Sequence, residues 1–234
     1  MHKLLGGAYR NQVQPNATGF YRQEGLAYPE VAEAEARRHL ARGFTAMKLM
    51  VDANHAYNMG NARRLLRALE PAQIHWFEEP ISPEDIDGYR ELKNLTSIQP
   101  AAGENEFTKF GFREWVLRRA VDILQPDLCA AGCLTECRKI SALAQAWHLP
   151  IVLHVWGSGI ALAASLQFIA TLPPAPLALQ PVEPMLECDQ SDHPFRGAPI
   201  HDAIGPQDGL VRIPDGPGLG VDINREVLAR YASA

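Results

Sequence analysis

The 234-residue chain is predicted to be an α/β protein folded as a TIM-type barrel of repeated strand–helix units. Three observations predict it. Short apolar runs alternate with amphipathic helical stretches, which points to a parallel sheet with helical crossovers. Each run finishes in an acid or a histidine, and those finishing residues recur at intervals close to one strand–helix unit. A single barrel takes about 250 residues, so residues 1–234 are read as one domain.

The strand-like runs are 46–51, 74–77, 98–102, 121–124, 151–155 and 177–182. Helical spacing fills the gaps at 60–69, 83–93, 108–119, 135–148 and 159–171, and 29–42 precedes the first run. The residues at the run ends are Asp52, Glu78, Glu104, Asp127, His154 and Glu183, separated by 26, 26, 23, 27 and 29 residues. Eight units sharing about 250 residues would each take ~31. An open sheet binds ligands at one switch point and has no use for a charge at every strand end, whereas a barrel brings all its strand tips to one mouth.

Composition narrows the function classes. With 22 basic and 27 acidic side chains the net charge is −5, which gives nucleic acid and anionic membrane surfaces no electrostatic hold. Hydrophobic residues make up 47%, ample for a real core. Four cysteines are too few for a disulfide scaffold. The stretch from Met1 to Asn11 lacks the basic and then apolar pattern of a signal peptide, and the longest apolar stretch is too short to span a bilayer. A cytoplasmic protein is expected.

Several carboxylates at one mouth repel one another unless a cation neutralises them. Asp52, Glu78 and Glu104 supply only hard oxygen donors, a set that suits Mg²⁺ rather than zinc. For any one of them a solvated loop acid is the ordinary explanation; three at matched strand ends are not ordinary. His154 alone would read as a core histidine, but Asp127 one strand earlier makes a dyad the better reading.

Val51-Asp52-Ala53-Asn54, Trp76-Phe77-Glu78-Glu79-Pro80, Gly103-Glu104-Asn105, Gln125-Pro126-Asp127 and His154-Val155-Trp156 occur in that order. Together they resemble the signatures of the enolase superfamily, mandelate racemase subgroup. Within it, 120–129, 154–159 and 213–220 look most like galactarolactone cycloisomerases, with acid-sugar dehydratases close by. The resemblance implies Asp52, Glu78 and Glu104 as ligands of Mg²⁺. It implies His154 as general base or acid oriented by Asp127, and Glu183 as a hydrogen-bond donor to the substrate carboxylate. Lys48 matches the first lysine of the family's Lys-x-Lys motif and is taken as catalytic; Asn54 and Asn105, adjacent to ligands, would position substrate or a water behind the ligands, and Trp156 would line the mouth against substrate. The implied reaction removes the proton α to a carboxylate of an acid sugar or aldarolactone, through an enediolate stabilised by the cation. Relatives often assemble, so a homo-oligomer is one outcome for the chain.

Two departures accompany the matches. Met50 stands where the family's second lysine belongs, and Lys48 lies only four residues before Asp52, so a deletion of roughly one strand–helix unit (~30 residues) is inferred near 49–50, and the resemblance implies a (β/α)7β-like barrel that is incomplete by that unit. The opening His2-Lys3-Leu4-Leu5 resembles the exit from the family's capping domain, so that domain is expected to be absent. Two other function classes compete: a catalytically inactive remnant that retains a metal site, and a metal-assisted hydrolase. Gly157-Ser158-Gly159 lacks the nucleophile-elbow pattern and reads as a tight turn opening a helix. Cys129, Cys133 and Cys137 fit no zinc or iron–sulfur spacing.

Overall fold

The computed structural model describes residues 1–20, 28–42, 44, 50–175, 179, 181–191 and 193–232. In chain order, β1 (Gln12–Val13), β2 (Pro15–Thr18) and α1 (Tyr28–Ala41) come first. Regular alternation follows: β3 (Val51–Asp52), α2 (Met59–Leu69), β4 (Trp76–Glu78), α3 (Ile86–Lys93), β5 (Gln99–Ala102), α4 (Thr108–Leu117), β6 (Ile123–Leu124) and α5 (Cys133–Ala146). The series closes with α6 (Gly159–Ile169), β7 (Leu186–Asp189), α7 (Pro194–Gly197), β8 (Val211–Arg212) and α8 (Arg225–Tyr231). Two compact units result. The first comprises Lys48–His154 and Pro173–Pro184; the second comprises Met1–Met47, Val155–Leu172 and Met185–Ala234.

In the first unit β3, β4, β5 and β6 form a parallel sheet in chain order. The register sets Asp52 beside Glu78 and Glu78 beside Ala101, and parallel bridges Leu124–Ile151 and Asp127–His154 carry the pattern one stave further. Such strands are covered on both faces, which is why Trp76, Phe77, Ala101, Ala102, Ile123 and Leu124 form near-continuous buried runs. Side chains start two of the helices. Asn58 accepts from the Asn61 amide at 2.9 Å before α2, and Asp85 accepts from the Gly88 amide at 2.9 Å before α3. α3 buries Tyr89 and Leu92, and the Tyr89 ring meets Trp115 of α4 edge-on at 4.7 Å. Lys93, in the last turn of α3, donates to the Val121 carbonyl at 2.9 Å and pairs with Asp122 at 2.7 Å. α4 packs on α5, whose Glu136 accepts from both the amide and the ammonium of Lys109, each at 3.1 Å.

In the second unit β2 and β7 pair in parallel from Pro15–Leu186 to Thr18–Asp189, although they lie far apart in sequence. β1 and β8 pair antiparallel. α6 is apolar on nearly every side and correspondingly buried, and Ser158 caps it by accepting from the Ala161 amide at 3.2 Å. Its one buried amide, Gln167, is fully engaged: Nε2 donates to the carbonyls of Pro214 and Leu219, and Oε1 accepts from the His2 amide.

Three expected strands are only partly recovered among the described residues. Of the run expected at 46–51, residues 46–49 lie outside the described residues, and Val51 begins the strand Val51–Asp52. Residues 151–155 make isolated bridges rather than a ladder. Of the run expected at 177–182, residues 177, 178 and 180 lie outside the described residues, and Glu183 closes no strand. Val182 pairs antiparallel with Ala175, and the strand of this region is Leu186–Asp189. Proline explains the shift: Pro181 and Pro184 flank Glu183 and have no N–H to give a ladder, whereas 186–189 has none missing. Among the described residues no helix is long and apolar enough to cross a membrane.

Candidate active site

The candidate site lies in the first unit, where the C-terminal ends of neighbouring parallel strands carry Asp52, Glu78, Glu104, Asp127 and His154. Backbone bonds continue past the strand ends and hold these loops to one another. Ala53 N donates to Glu78 O at 3.0 Å, His55 N to Glu79 O at 2.7 Å, Glu79 N to Ala101 O at 3.1 Å, and Gln125 N to Ala102 O at 2.9 Å. The turns are sharp. Asn54, His55 and Glu79 adopt left-handed φ of 46°, 48° and 36°, and Gly103 takes φ 137° to aim Glu104. A non-glycine residue in that region costs roughly 1–3 kcal/mol and persists only where its surroundings over-determine it.

The dyad expected from sequence is formed. His154 Nδ1 lies 2.7 Å from Asp127 Oδ2, and the Nε2 on the far side of the ring lies 3.4 Å from Glu104 Oε2. Asp127 Oδ1 also accepts from the Cys129 amide at 2.6 Å. Burial pushes the Asp127 carboxyl up, but the bonds from His154 and the Cys129 amide, with the imidazole charge, outweigh it and hold the group below the usual range. An imidazole with its Nδ1 proton fixed on a carboxylate turns Nε2 outward as the group that exchanges protons.

The three expected cation ligands occupy adjacent strand ends, each with a neighbour. Asp52 Oδ1 accepts from the Asn54 amide at 2.7 Å, Glu78 Oε2 accepts from Trp76 Nε1 at 3.1 Å, and Glu104 faces His154. Among the described residues no three acids, imidazoles or thiols are gathered into a formed metal cluster. The donor chemistry nevertheless fits a hard divalent cation. Glu79, wholly buried directly after Glu78, has its carboxyl pushed up to about 7, first by burial and further by repulsion from Glu104 and Asp52, against the lowering effects of Asn105 and His55. Asp52, Glu78 and Glu104 themselves offer carboxylate oxygens alone, the donors a hard divalent cation takes.

The remaining expected residues divide. Asn105 turns its amide onto both Glu79 oxygens, at 3.0 and 2.9 Å, and Asn54 is exposed. Glu183 is exposed on the loop outside any ladder, which corrects its expected place at a strand end. Lys48 lies outside the described residues. Trp156 belongs to the second unit and is 47% exposed. Ser158 spends its hydroxyl on the α6 cap, as a tight turn would, and no nucleophile elbow is formed.

Two acids escaped the sequence reading. Glu79 was hidden by its neighbour Glu78; the signal was a second acid inside an apolar Trp-Phe-Glu-Glu-Pro run, which must find a buried partner. Glu187, inside β7, accepts from Thr18 Oγ1 at 2.9 Å and from the Val155 amide at 2.7 Å in the second unit. Its signal was Leu-Glu-Cys-Asp, a strand-compatible run free of proline.

Sequential parallel staves with acids and a histidine–aspartate pair at their C-terminal ends define a barrel of the enolase kind. Residues 18–227 match the family described as enolase C-terminal domain-like, and the chain belongs to it. A D-galactarolactone cycloisomerase of Agrobacterium fabrum is 37% identical over 254 aligned positions, which cover 97% of this chain and 67% of that protein. A D-gluconate dehydratase of Thermoproteus tenax is 26% identical, over 99% of this chain and 52% of its own length. Among solved structures, the 3,6-anhydro-D-galactonate cycloisomerase from Zobellia galactanivorans superposes with a TM-score of 0.87 at 35% identity, covering 100% of this chain and 70% of its own. The L-talarate dehydratase from Polaromonas sp. JS666, solved with Mg and L-glucarate, shares the fold at a TM-score of 0.81 and 24% identity, over 97% of this chain and 66% of its own. The chain thus spans about half to two thirds of the length of the relatives it matches.

Proposed function

We propose that this site removes the proton α to the carboxylate of an acid sugar or aldarolactone, as a cycloisomerase or dehydratase. The observation that carries the reading is the Asp127–His154 contact at 2.7 Å beside Glu104, on neighbouring strand ends of a family member. Asp127 holds the Nδ1 proton and the ring orientation; His154 Nε2 takes the α-proton and later returns a proton to the product or leaving group. Asp52, Glu78 and Glu104 would hold Mg²⁺, which when bound supplies positive charge beside the substrate carboxylate as negative charge builds there. The names of the relatives, cycloisomerase and dehydratase acting on sugar acids and their lactones, support this substrate class. A cytoplasmic setting belongs to the same reading and is supported by four unpaired thiols.

A second reading is a site that binds the cation without turnover. It is favoured by Met50 in place of a lysine and by an alignment of 254 positions to a chain of 234, which requires gaps inside this chain. The test is NMR of galactarate and its lactone in D₂O with the purified chain and Mg²⁺. Deuterium entry at the α-carbon that needs Mg²⁺ and is lost in His154→Ala supports the lyase or isomerase reading. Absence of exchange while Mg²⁺ still binds supports the second, and exchange indifferent to His154→Ala overturns the assigned base.

A further inference from the structure

We propose that Glu79 is a positioning residue that fixes the three loops carrying Asp52, Glu78 and Glu104 in the arrangement a divalent cation needs. The proposal rests on the cation reading above. Glu79 directly follows Glu78 and is completely buried. Its main chain joins two staves: its amide donates to Ala101 of β5 at 3.1 Å, and its carbonyl accepts from His55, three residues beyond Asp52, at 2.7 Å. Its side chain joins the third loop, both oxygens receiving Asn105 Nδ2 at 3.0 and 2.9 Å, and Asn105 directly follows Glu104. One residue is therefore bonded to a near neighbour of every proposed ligand. A left-handed φ of 36° at a buried glutamate shows that these bonds over-determine its conformation.

A carboxylate is suited to this work because both its oxygens accept from the one Asn105 amide nitrogen while the ligands must keep their own oxygens for the ion. Asn105 is correspondingly an anchor for the Glu104 loop. Glutamine at position 79 would keep the shape but replace one of the two accepting oxygens by an NH₂ group set against the NH₂ of Asn105. Exchanging both residues reverses the polarity of the same bond and restores it.

The experiment measures Mg²⁺ affinity by titration calorimetry, and Tm without added metal, for the wild type, Glu79→Gln, the paired exchange Glu79→Gln/Asn105→Asp, and Glu104→Gln. The expected result is Mg²⁺ binding weakened on the order of 10–100-fold in Glu79→Gln, with a metal-free melt close to that of the wild type, and recovered in the paired exchange. Glu104→Gln reports on the cation site itself. Wild-type affinity in Glu79→Gln while Glu104→Gln loses binding overturns the role of Glu79 and leaves the cation reading standing. Absence of Mg²⁺ binding in the wild type, or its survival in Glu104→Gln, overturns both. If Glu79→Gln does not fold, a paired exchange that folds and binds Mg²⁺ supports the proposal. If neither variant shows a cooperative melt, Glu79 serves the fold at large and the proposal is overturned.

Discussion

Replacing Gly103 by alanine tests the turn that presents Glu104. Gly103 has φ 137°, and a Cβ placed there lies 2.8 Å from Phe112 Cε1, 3.1 Å from the Gln125 amide nitrogen and 3.3 Å from its carbonyl carbon. Phe112 is fully buried, and the Gln125 amide is bonded to Ala102, so neither yields freely. The backbone conformation costs about 1–3 kcal/mol and overpacking a similar amount, for a total of about 2–6 kcal/mol. For a chain of this size each kcal/mol is worth about 2–4 °C, so Tm should fall by about 4–24 °C in thermal unfolding followed by circular dichroism. Gly7 provides the control: its φ is 106°, and a methyl group there would meet nothing within 4 Å, so Gly7→Ala carries the backbone cost alone. Trimming the clash in Gly103→Ala/Phe112→Leu should leave the double variant more stable than the two single losses add up to. A Gly103→Ala melt within about 2 °C of the wild type, or no lower than that of Gly7→Ala, would refute the packing argument.

Three further outcomes are expected. Asp127 is held below the ordinary aspartate range, so its stabilisation is complete above about pH 4 and is lost as pH falls through the folded-state value; Asp127→Asn should cost about 1.5–3 kcal/mol at neutral pH, and urea titrations should show that gap closing in acid. Glu136 drops from 4.5 to about 2 through its bonds to Lys139 and Lys109, so the advantage of the wild type over Glu136→Gln should shrink between those two pH values; a constant gap would refute it. Burial pushes the thiols of Cys137 and Cys188 up to about 12 and about 11, so a thiol reagent should label Cys129 and Cys133 in the native protein and all four only in denaturant.

Much of the first unit was legible because its parallel strands are buried on both faces and announce themselves as apolar runs, each closed by a polar residue where the chain meets solvent. The helices from Met59 to Ile169 fall within a few residues of their expected spans for a related reason: Asn58, Asp85 and Ser158 are capping residues readable in one dimension. The second unit was harder. β1 and β8 are two residues long, and β2 begins at Pro15, so neither period nor propensity marks them. Glu183 does not close a strand as its spacing predicts, because Pro181 and Pro184 on either side of it have no N–H to give a ladder.

The order of the amino acids determined which chemistry is available: carboxylates, a histidine and its aspartate, one per stave. A helix crossover returns each parallel strand with the same polarity, so equal spacing alone sends these groups to one end of the sheet. Only the tertiary structure decided which of them touch. The dyad closes because β6 and the segment after α5 lie side by side, and Glu79 acquires Asn105 as its partner because β4 and β5 bring residues 26 apart in sequence to 3 Å. Those contacts depend on side-chain direction, burial and the left-handed turns that sharpen the strand ends, quantities that exist only once the chain is folded.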